Sequence, residues 1–306
     1  MEKGVVIKST GSWYIVKKEN GEVADCRIRG KFRMEGIRTT NPVAVGDTVE
    51  IESGNDGCVI TRIAERRNYL IRKSTNLSKE AHIIASNVDQ AILITTISHP
   101  EIPTVFIDRF LATTEAYRIP AALVFNKTDL YSEEDRAKLE EQIKIYTSIG
   151  YPCLTVSATT GQDIGKLRDL LKDKTTVLSG MSGVGKSSII NRIEPGLSLK
   201  VATISNAHDT GKHTTTFAEM FSLTGGGAII DTPGIRSFGL IDMKKEEISH
   251  FFPEIFKHAK DCRFYNCTHI HEPGCSVIEA VQSGEISESR YWSYLSMMED
   301  SGEKYR

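Results

Sequence analysis

Gly180-Met181-Ser182-Gly183-Val184-Gly185-Lys186-Ser187 is the stretch that decides the fold of this chain. It fits G-x-x-x-x-G-K-[ST], follows the apolar run Thr176 to Leu178 and opens a helical pattern over Lys186 to Ile193. That is the strand, loop and helix setting of a phosphate-binding loop. The glycines let successive backbone N–H groups wrap a diphosphate at a helix N-terminus. Lys186 then meets the β and γ oxygens, Ser187 ligates Mg²⁺, and Ser188 continues the row of amides. Taken alone, the loop does not separate ATP from GTP.

Base choice comes from Asn126-Lys127-Thr128-Asp129, directly after the apolar run Ala121 to Phe125. A carboxylate at Asp129 accepts from both N1–H and the 2-amino group of guanine, a donor pair that adenine lacks. A site built in this way discriminates by on the order of 10⁴. Ser157-Ala158, after Cys153 to Val156, is placed to offer backbone N–H to guanine O6. Asp231-Thr232-Pro233-Gly234 follows Ala228 to Ile230, so Asp231 would hold Mg²⁺ through water and the Gly234 N–H would sense a γ-phosphate. Each motif alone also reads as an ordinary cap or turn. Their shared position at the carboxyl ends of strands in one parallel sheet, where nucleotides bind, makes them a site.

Working outward, apolar runs alternate with helical periodicity from about Asp89, as in a parallel sheet covered by helices. Strands are expected at Ala91 to Thr95, Ala121 to Phe125, Cys153 to Val156, Thr176 to Leu178, Glu219 to Leu223 and Ala228 to Ile230. Helices are expected at Ile107 to Tyr117, Glu133 to Ser148, Gly165 to Leu171 and Lys186 to Ile193. A chain of 306 residues exceeds one typical domain, and 40% hydrophobic with 25% charged residues is a globular composition. There is no apolar run of about 18 residues and no signal-peptide pattern, so membrane insertion is not expected and a cytoplasmic, monomeric protein is.

Before this region, five short alternating segments lie between Gly4 and Arg67 (Val5–Ile7, Trp13–Val16, Val23–Ile28, Thr48–Ile51 and Val59–Ile63), separated by turn residues. Five strands in this length predict a small OB-like β-barrel. The net charge of −2 hides an asymmetry: residues 1–73 carry 14 basic and 10 acidic side chains. Arg27, Arg29, Lys31, Arg33 and Arg38, with Phe32 among them, are an RNA-binding set that would track phosphates and stack a base. A solvated strand face is the plainer alternative. Arg66-Arg67 and Arg72-Lys73 belong either to that surface or to a solvated linker.

After Gly239, helices at Lys244 to Phe252, Glu254 to Lys260 and Ser287 to Met298 surround Cys262-x₄-Cys267-x-His269-x₅-Cys275. Three thiolates and an imidazole suit tetrahedral Zn²⁺, and a closed shell of four makes the metal structural. Such a site contributes roughly 10 to 16 kcal/mol of apparent binding energy to folding. His271 is a rival nitrogen ligand. Cys26, Cys58 and Cys153 are expected to be separate buried apolar residues. The domains expected are 1–68 (OB), 69–241 (nucleotide-binding) and 242–306 (zinc-binding).

The nucleotide motifs occur in the order N-K-x-D, S-A, P-loop, D-x-x-G, which is a circular permutation of the translation-factor GTPase order. With a barrel before and a Cys/His cluster after, the whole chain resembles the RsgA/YjeQ family of ribosome small-subunit-dependent GTPases. The resemblance implies an α/β P-loop GTPase domain that acts late in assembly of the small (30S) ribosomal subunit. It further implies binding to 16S rRNA and turnover stimulated by the subunit. By the same resemblance His269 is preferred over His271. In Gly211-Lys212-His213-Thr214-Thr215-Thr216, Thr215 is preferred as a second Mg²⁺ ligand, with Thr214 and Thr216 as rivals. Ile235 stands where Ras-like enzymes carry a water-orienting Gln, so His213 is the candidate for that role, with a purely structural histidine as the alternative. Gly183 stands where potassium-activated relatives carry Asn, so no potassium requirement is expected. Competing readings are a nucleotide-gated RNA-binding protein with incidental hydrolysis and an ATP-dependent kinase, the latter disfavoured by Asp129.

Overall fold

The structure, a computed structural model, describes residues 2–28, 42–54, 57–73, 81–197, 218–231 and 244–299. Arg29, Lys31, Phe32, Arg33, Arg38, His213, Thr215 and Gly234 lie outside them. Residues from Glu2 to Ile63 form β1 (Glu2–Ser9), β2 (Tyr14–Lys18), β3 (Val23–Ile28), β4 (Thr48–Gly54) and β5 (Gly57–Ile63). Their pairings run β1·β2, β2·β3, β3·β5, β5·β4 and β4·β1, closing the expected five-stranded barrel. Val6, Tyr14, Val16, Cys26, Val49, Ile51 and Ile60 fill it, the inward set of strands whose side chains alternate. Cys26 and Cys58, expected to be unpaired, are register partners on β3 and β5 and are joined as a disulfide.

A hairpin of β6 (Tyr69–Lys73) and β7 (Ala81–Ser86) follows the barrel. It was not expected, because its strands are short and the polar run between them reads as linker. Arg66 is likewise not part of an exposed basic surface. Its side chain is 5% exposed and grips the fully buried Asp47 through Nε–Oδ1 and Nη2–Oδ2, both 2.6 Å. Ser86 Oγ and the Ala44 N–H complete the hydrogen bonding of that carboxylate. Arg67 pairs with Asp89 at 2.8 Å.

The nucleotide-type domain is built on parallel strands in the order β10-β9-β8-β11-β13, namely β8 (Gln90–Thr95), β9 (Ala121–Phe125), β10 (Cys153–Thr155), β11 (Thr175–Ser179) and β13 (Ala228–Asp231). The antiparallel β12 (Glu219–Ser222) pairs with β13 on one side and with β1 on the other, through Lys8 and Glu219. The Lys8–Glu219 ion pair (3.0 Å) reinforces this junction with the barrel. All six residues of β8 are buried, as a central strand covered on both faces requires. Helices α1 (Thr104–Ala116), α2 (Glu133–Ser148), α3 (Ile164–Leu171) and α4 (Lys186–Ile193) cover the sheet. Ser132 opens α2 with a capping box shared with Asp135.

In the C-terminal part, the segment expected as a helix from Lys244 forms a 3₁₀ helix, Lys245–Phe251. It leads into α5 (Pro253–Ala259), whose first-turn proline lacks the N–H that a continuing helix would need. Helix α6 (Ser276–Gln282) was not expected, since seven residues are too few to show a period. Helix α7 (Glu288–Glu299) packs on α1 of the nucleotide-type domain. At that junction Arg290 is 1% exposed and bonds Asp108 Oδ1 of α1 and Glu254 Oε1 of α5, each at 2.7 Å. The Tyr146 hydroxyl donates to the same Asp108 oxygen at 3.0 Å. Truncating Arg290 would leave two buried carboxylates without their cation. Arg290→Ala should therefore lose about 3–5 kcal/mol of unfolding free energy in urea titration.

Candidate functional site

The carboxyl ends of β9, β10, β11 and β13 carry, in turn, Asn126, Ser157, Gly180 and Asp231. The four motifs read from the sequence therefore share one edge, because the strands are parallel and in register. The phosphate loop leaves β11 at Gly180 (φ 146°), where a Cβ would collide with the Ile94 carbonyl of the neighbouring strand. Gly183 and Gly185 are also left-handed, at 87° and 94°, a conformation open to glycine at little cost. Val184 between them is fully buried and anchors the loop, while Ser182 and Gly183 stay exposed and Met181 is half-buried. Helix α4 makes its first backbone bond from Ile189 N–H to Gly185 O, so the Ser187 and Ser188 amides are directed out of its N-terminal end. Lys186 Nζ donates to Gly180 O at 2.6 Å and Met181 O at 2.9 Å. The ammonium thus lies across the mouth of the loop it would serve.

Asn126 joins this loop to the base-reading motif. It is 1% exposed, its Nδ2 donates to Val184 O at 2.9 Å, and its Oδ1 accepts from Ala158 N–H at 3.1 Å. A side chain at Gly185 would occupy the place of that amide. Lys127 is left-handed (φ 65°), and its half-buried ammonium has a lowered pKa through burial. Thr128 is buried and bonds Val156 O, whereas Asp129 is exposed. Ser157 Oγ donates to Asp129 Oδ1 at 2.6 Å, fixing the carboxylate through that one oxygen. The amides expected at guanine O6 are engaged within the protein: Ser157 N–H on Gln162 O and Ala158 N–H on Asn126 Oδ1.

In the C-terminal part, Cys262, Cys267, His269 and Cys275 bring their donor atoms within 4.8 Å of one another. Cys262 Sγ and Cys275 Sγ each lie 3.5 Å from His269 Nδ1 and 3.8 Å from each other. A tetrahedron with metal–sulfur bonds near 2.3 Å and a metal–nitrogen bond near 2.0 Å has edges of ~3.5 and ~3.8 Å, so the donor set fits a four-coordinate ion. Burial pushes the Cys267 thiol up to about 12, with the neighbouring sulfurs adding to it. Burial raises the Cys275 thiol as well, and a cation bound at the cluster would favour the thiolate form of both. Burial lowers the pKa of His269, keeping the imidazole neutral and able to ligate. His271 is exposed and outside the cluster. The Glu272 carboxylate braces the loop by accepting from Thr268 Oγ1 and from the amides of Thr268, Ile270 and His271.

On the barrel, Arg27 is exposed and its guanidinium stacks 3.8 Å above the ring of Trp13, itself 45% exposed. Sequence reasoning missed Trp13, because it precedes β2 while the basic residues cluster after β3. The β2·β3 pairing of Tyr14 with Cys26 brings the two neighbourhoods together.

Two family profiles match the chain: one described as RsgA GTPase over residues 63–241, the other as RsgA N-terminal domain over residues 3–59. A Small ribosomal subunit biogenesis GTPase RsgA from Bacteroides fragilis (strain YCH46) is 56% identical over 306 residues, covering 99% of each chain. One of the same name from Porphyromonas gingivalis (strain W83) is 56% identical over 310 residues, with 99% and 98% covered. The crystal structure of YjeQ from Thermotoga maritima matches with a TM-score of 0.81 at 36% identity over 99% of both chains. YloQ, described as a circularly permuted GTPase, matches with a TM-score of 0.75 at 32% identity over 99% of this chain and 96% of its own.

Asn126→Ala leaves the Val184 carbonyl and the Ala158 amide buried without their partner. It should cost about 2–6 kcal/mol, at 1–3 kcal/mol for each stranded group, measured by chemical denaturation of the nucleotide-free protein.

Proposed function

Because this chain belongs to the RsgA family of small ribosomal subunit biogenesis GTPases, we propose that the edge joined by Asn126 binds GTP and that its hydrolysis serves maturation of the small subunit. The observation that carries the assignment is the Asn126 Nδ2–Val184 O bond, which unites base-reading and phosphate-binding loops 58 residues apart in the chain. The site comprises Asn126 to Asp129, Ser157, Ala158, Gly180 to Ser188, Asp231 and Gly234. Asp129 reads N1–H and the 2-amino group of guanine, held in place by Ser157. Lys186 exchanges the Gly180 and Met181 carbonyls for β and γ oxygens when GTP enters, so the loop needs little rearrangement to take the charge.

Ser187, Asp231 and Thr215 are the residues that would hold Mg²⁺, a hard cation suited to hydroxyl and carboxylate oxygens. When bound it neutralises phosphate charge. The chain supplies no Gln at Ile235, so orientation of the attacking water falls to His213 once the ribosomal subunit has ordered the site. Cys262, Cys267, His269 and Cys275 hold a structural Zn²⁺, since four protein donors leave no open coordination position. Arg27 with Trp13, extended by Arg29, Lys31, Phe32, Arg33 and Arg38, forms the contact to 16S rRNA: guanidinium and lysine charges for phosphates, aromatic faces for bases.

Turnover of GTP and ATP with and without purified small subunits tests the whole reading. GTP should be preferred by about 10⁴, and Asp129→Ala should lose about 10² or more of that preference. GTP turnover should rise when subunits are added; equal rates would count against the partner. His213→Ala should retain GTP affinity while losing at least about 10² of the stimulated rate, as expected for a group that acts only in the transition state. Elemental analysis should find one zinc per chain, and Cys275→Ser should lower that content together with the thermal stability.

A further inference from the structure

We propose that the hydroxyl of Tyr131, which no sequence motif includes, is a positioning group of the nucleotide site: it sets the peptide between Asn126 and Lys127 and so holds the base-reading loop in its binding form. The proposal rests on the assignment of that edge as the guanine site. Tyr131 is 5% exposed, and its hydroxyl donates to Asn126 O at 2.7 Å while accepting from Ile97 N–H at 2.9 Å. Burial pushes the phenol up to about 12. It therefore keeps its proton, and the directions of both hydrogen bonds are fixed.

The carbonyl that Tyr131 holds belongs to the peptide immediately before Lys127, whose left-handed backbone is unfavourable for any residue with a Cβ. Such a conformation persists only where its surroundings impose it. Here they do so from the opposite loop. Residues 96 to 100, between β8 and α1, form a strap tied to the base-reading segment and to the first turn of α2. Ile97 N–H meets Tyr131, Lys127 Nζ donates to His99 O at 2.5 Å, and Ser98 Oγ donates to Asp135 Oδ2 at 3.1 Å. Thr96 Oγ1 braces the strap internally on Pro100 O at 2.6 Å. Its far end reaches the phosphate loop, where the Pro100 ring lies 3.5 Å from the Cβ position of Gly183. Tyr131 is the one side chain that bonds both the strap and the Asn126 backbone among the described residues. Removing its hydroxyl frees the 126–127 peptide to rotate and Asp129 to leave the position that Ser157 holds.

The test is equilibrium displacement of a fluorescent GDP by GDP, IDP and ADP, for wild type, Tyr131→Phe and Tyr151→Phe. IDP lacks the 2-amino group that one Asp129 oxygen would accept. Tyr151 supplies the control, another buried tyrosine whose hydroxyl bonds Glu115 at 3.0 Å away from the nucleotide edge. For Tyr131→Phe, GDP affinity should fall about tenfold and IDP affinity about threefold, so that the preference for the 2-amino group shrinks. Tyr151→Phe should bind GDP as wild type does. GDP affinity within twofold of wild type in Tyr131→Phe would overturn the proposal. So would equal losses for GDP and IDP, which would place the effect on the phosphate loop or on general stability. A wild-type protein that does not prefer GDP to ADP would instead overturn the assignment of the site, and the proposal with it.

Discussion

One buried amide organises the working edge of this protein. Asn126 uses all four of its polar positions within the protein. Its N–H goes to Thr95 O at the end of β8, and its carbonyl accepts from Tyr131. Its Nδ2 goes to the phosphate loop, and its Oδ1 accepts from the loop after β10. Each group is nearly inaccessible to water, so a mismatch at any of them would leave an unpaired buried dipole costing about 1–3 kcal/mol. That penalty holds the end of β8, the base-reading loop, the phosphate loop and the loop after β10 in one arrangement. It also explains why Gly185 has no side chain: the Asn126 amide needs the volume that a Cβ would fill.

The same physics explains why a permuted order of motifs is compatible with one site. What the site requires is that β9, β10, β11 and β13 end on the same edge, which parallel pairing secures whatever order the chain visits them. Permutation changes which segment leads to which neighbour. Here the chain leaves β13 and passes to the C-terminal part, while α1 lies early in the GTPase domain and receives that part on its outer face through Asp108 and Arg290.

Two of the junctions between parts of the molecule are built on a buried ion pair reinforced by further hydrogen bonds. Asp47 with Arg66, Ser86 and the Ala44 amide ties barrel to hairpin. Arg290 with Asp108, Glu254 and Tyr146 ties the C-terminal helices to α1. Buried pairs of this kind contribute little net stability against an apolar alternative, but they are directional, and removing one partner is costly. They therefore fix how the parts meet more than how firmly each part folds.

The phosphate loop, the N-K-T-D stretch and the Cys/His spacing were legible in the sequence because each is local: a few consecutive residues carry the geometry and the chemistry together. The barrel and the parallel sheet were legible through alternation and apolar runs, which report one-sided or two-sided burial. The β6–β7 hairpin, α6 and the 3₁₀ form of Lys245–Phe251 were not, because short elements owe their conformation to the surfaces they pack on. The pairing of Cys26 with Cys58, the burial of Arg66, the stacking of Arg27 on Trp13, the engagement of the Ser157 and Ala158 amides and the grip of Tyr131 on Asn126 were decided only by tertiary structure. Each depends on which strand lies beside which. The chain alone thus determined the chemistry available to the site, and the pairing of its strands determined which of those groups remain for the nucleotide once the protein has satisfied itself.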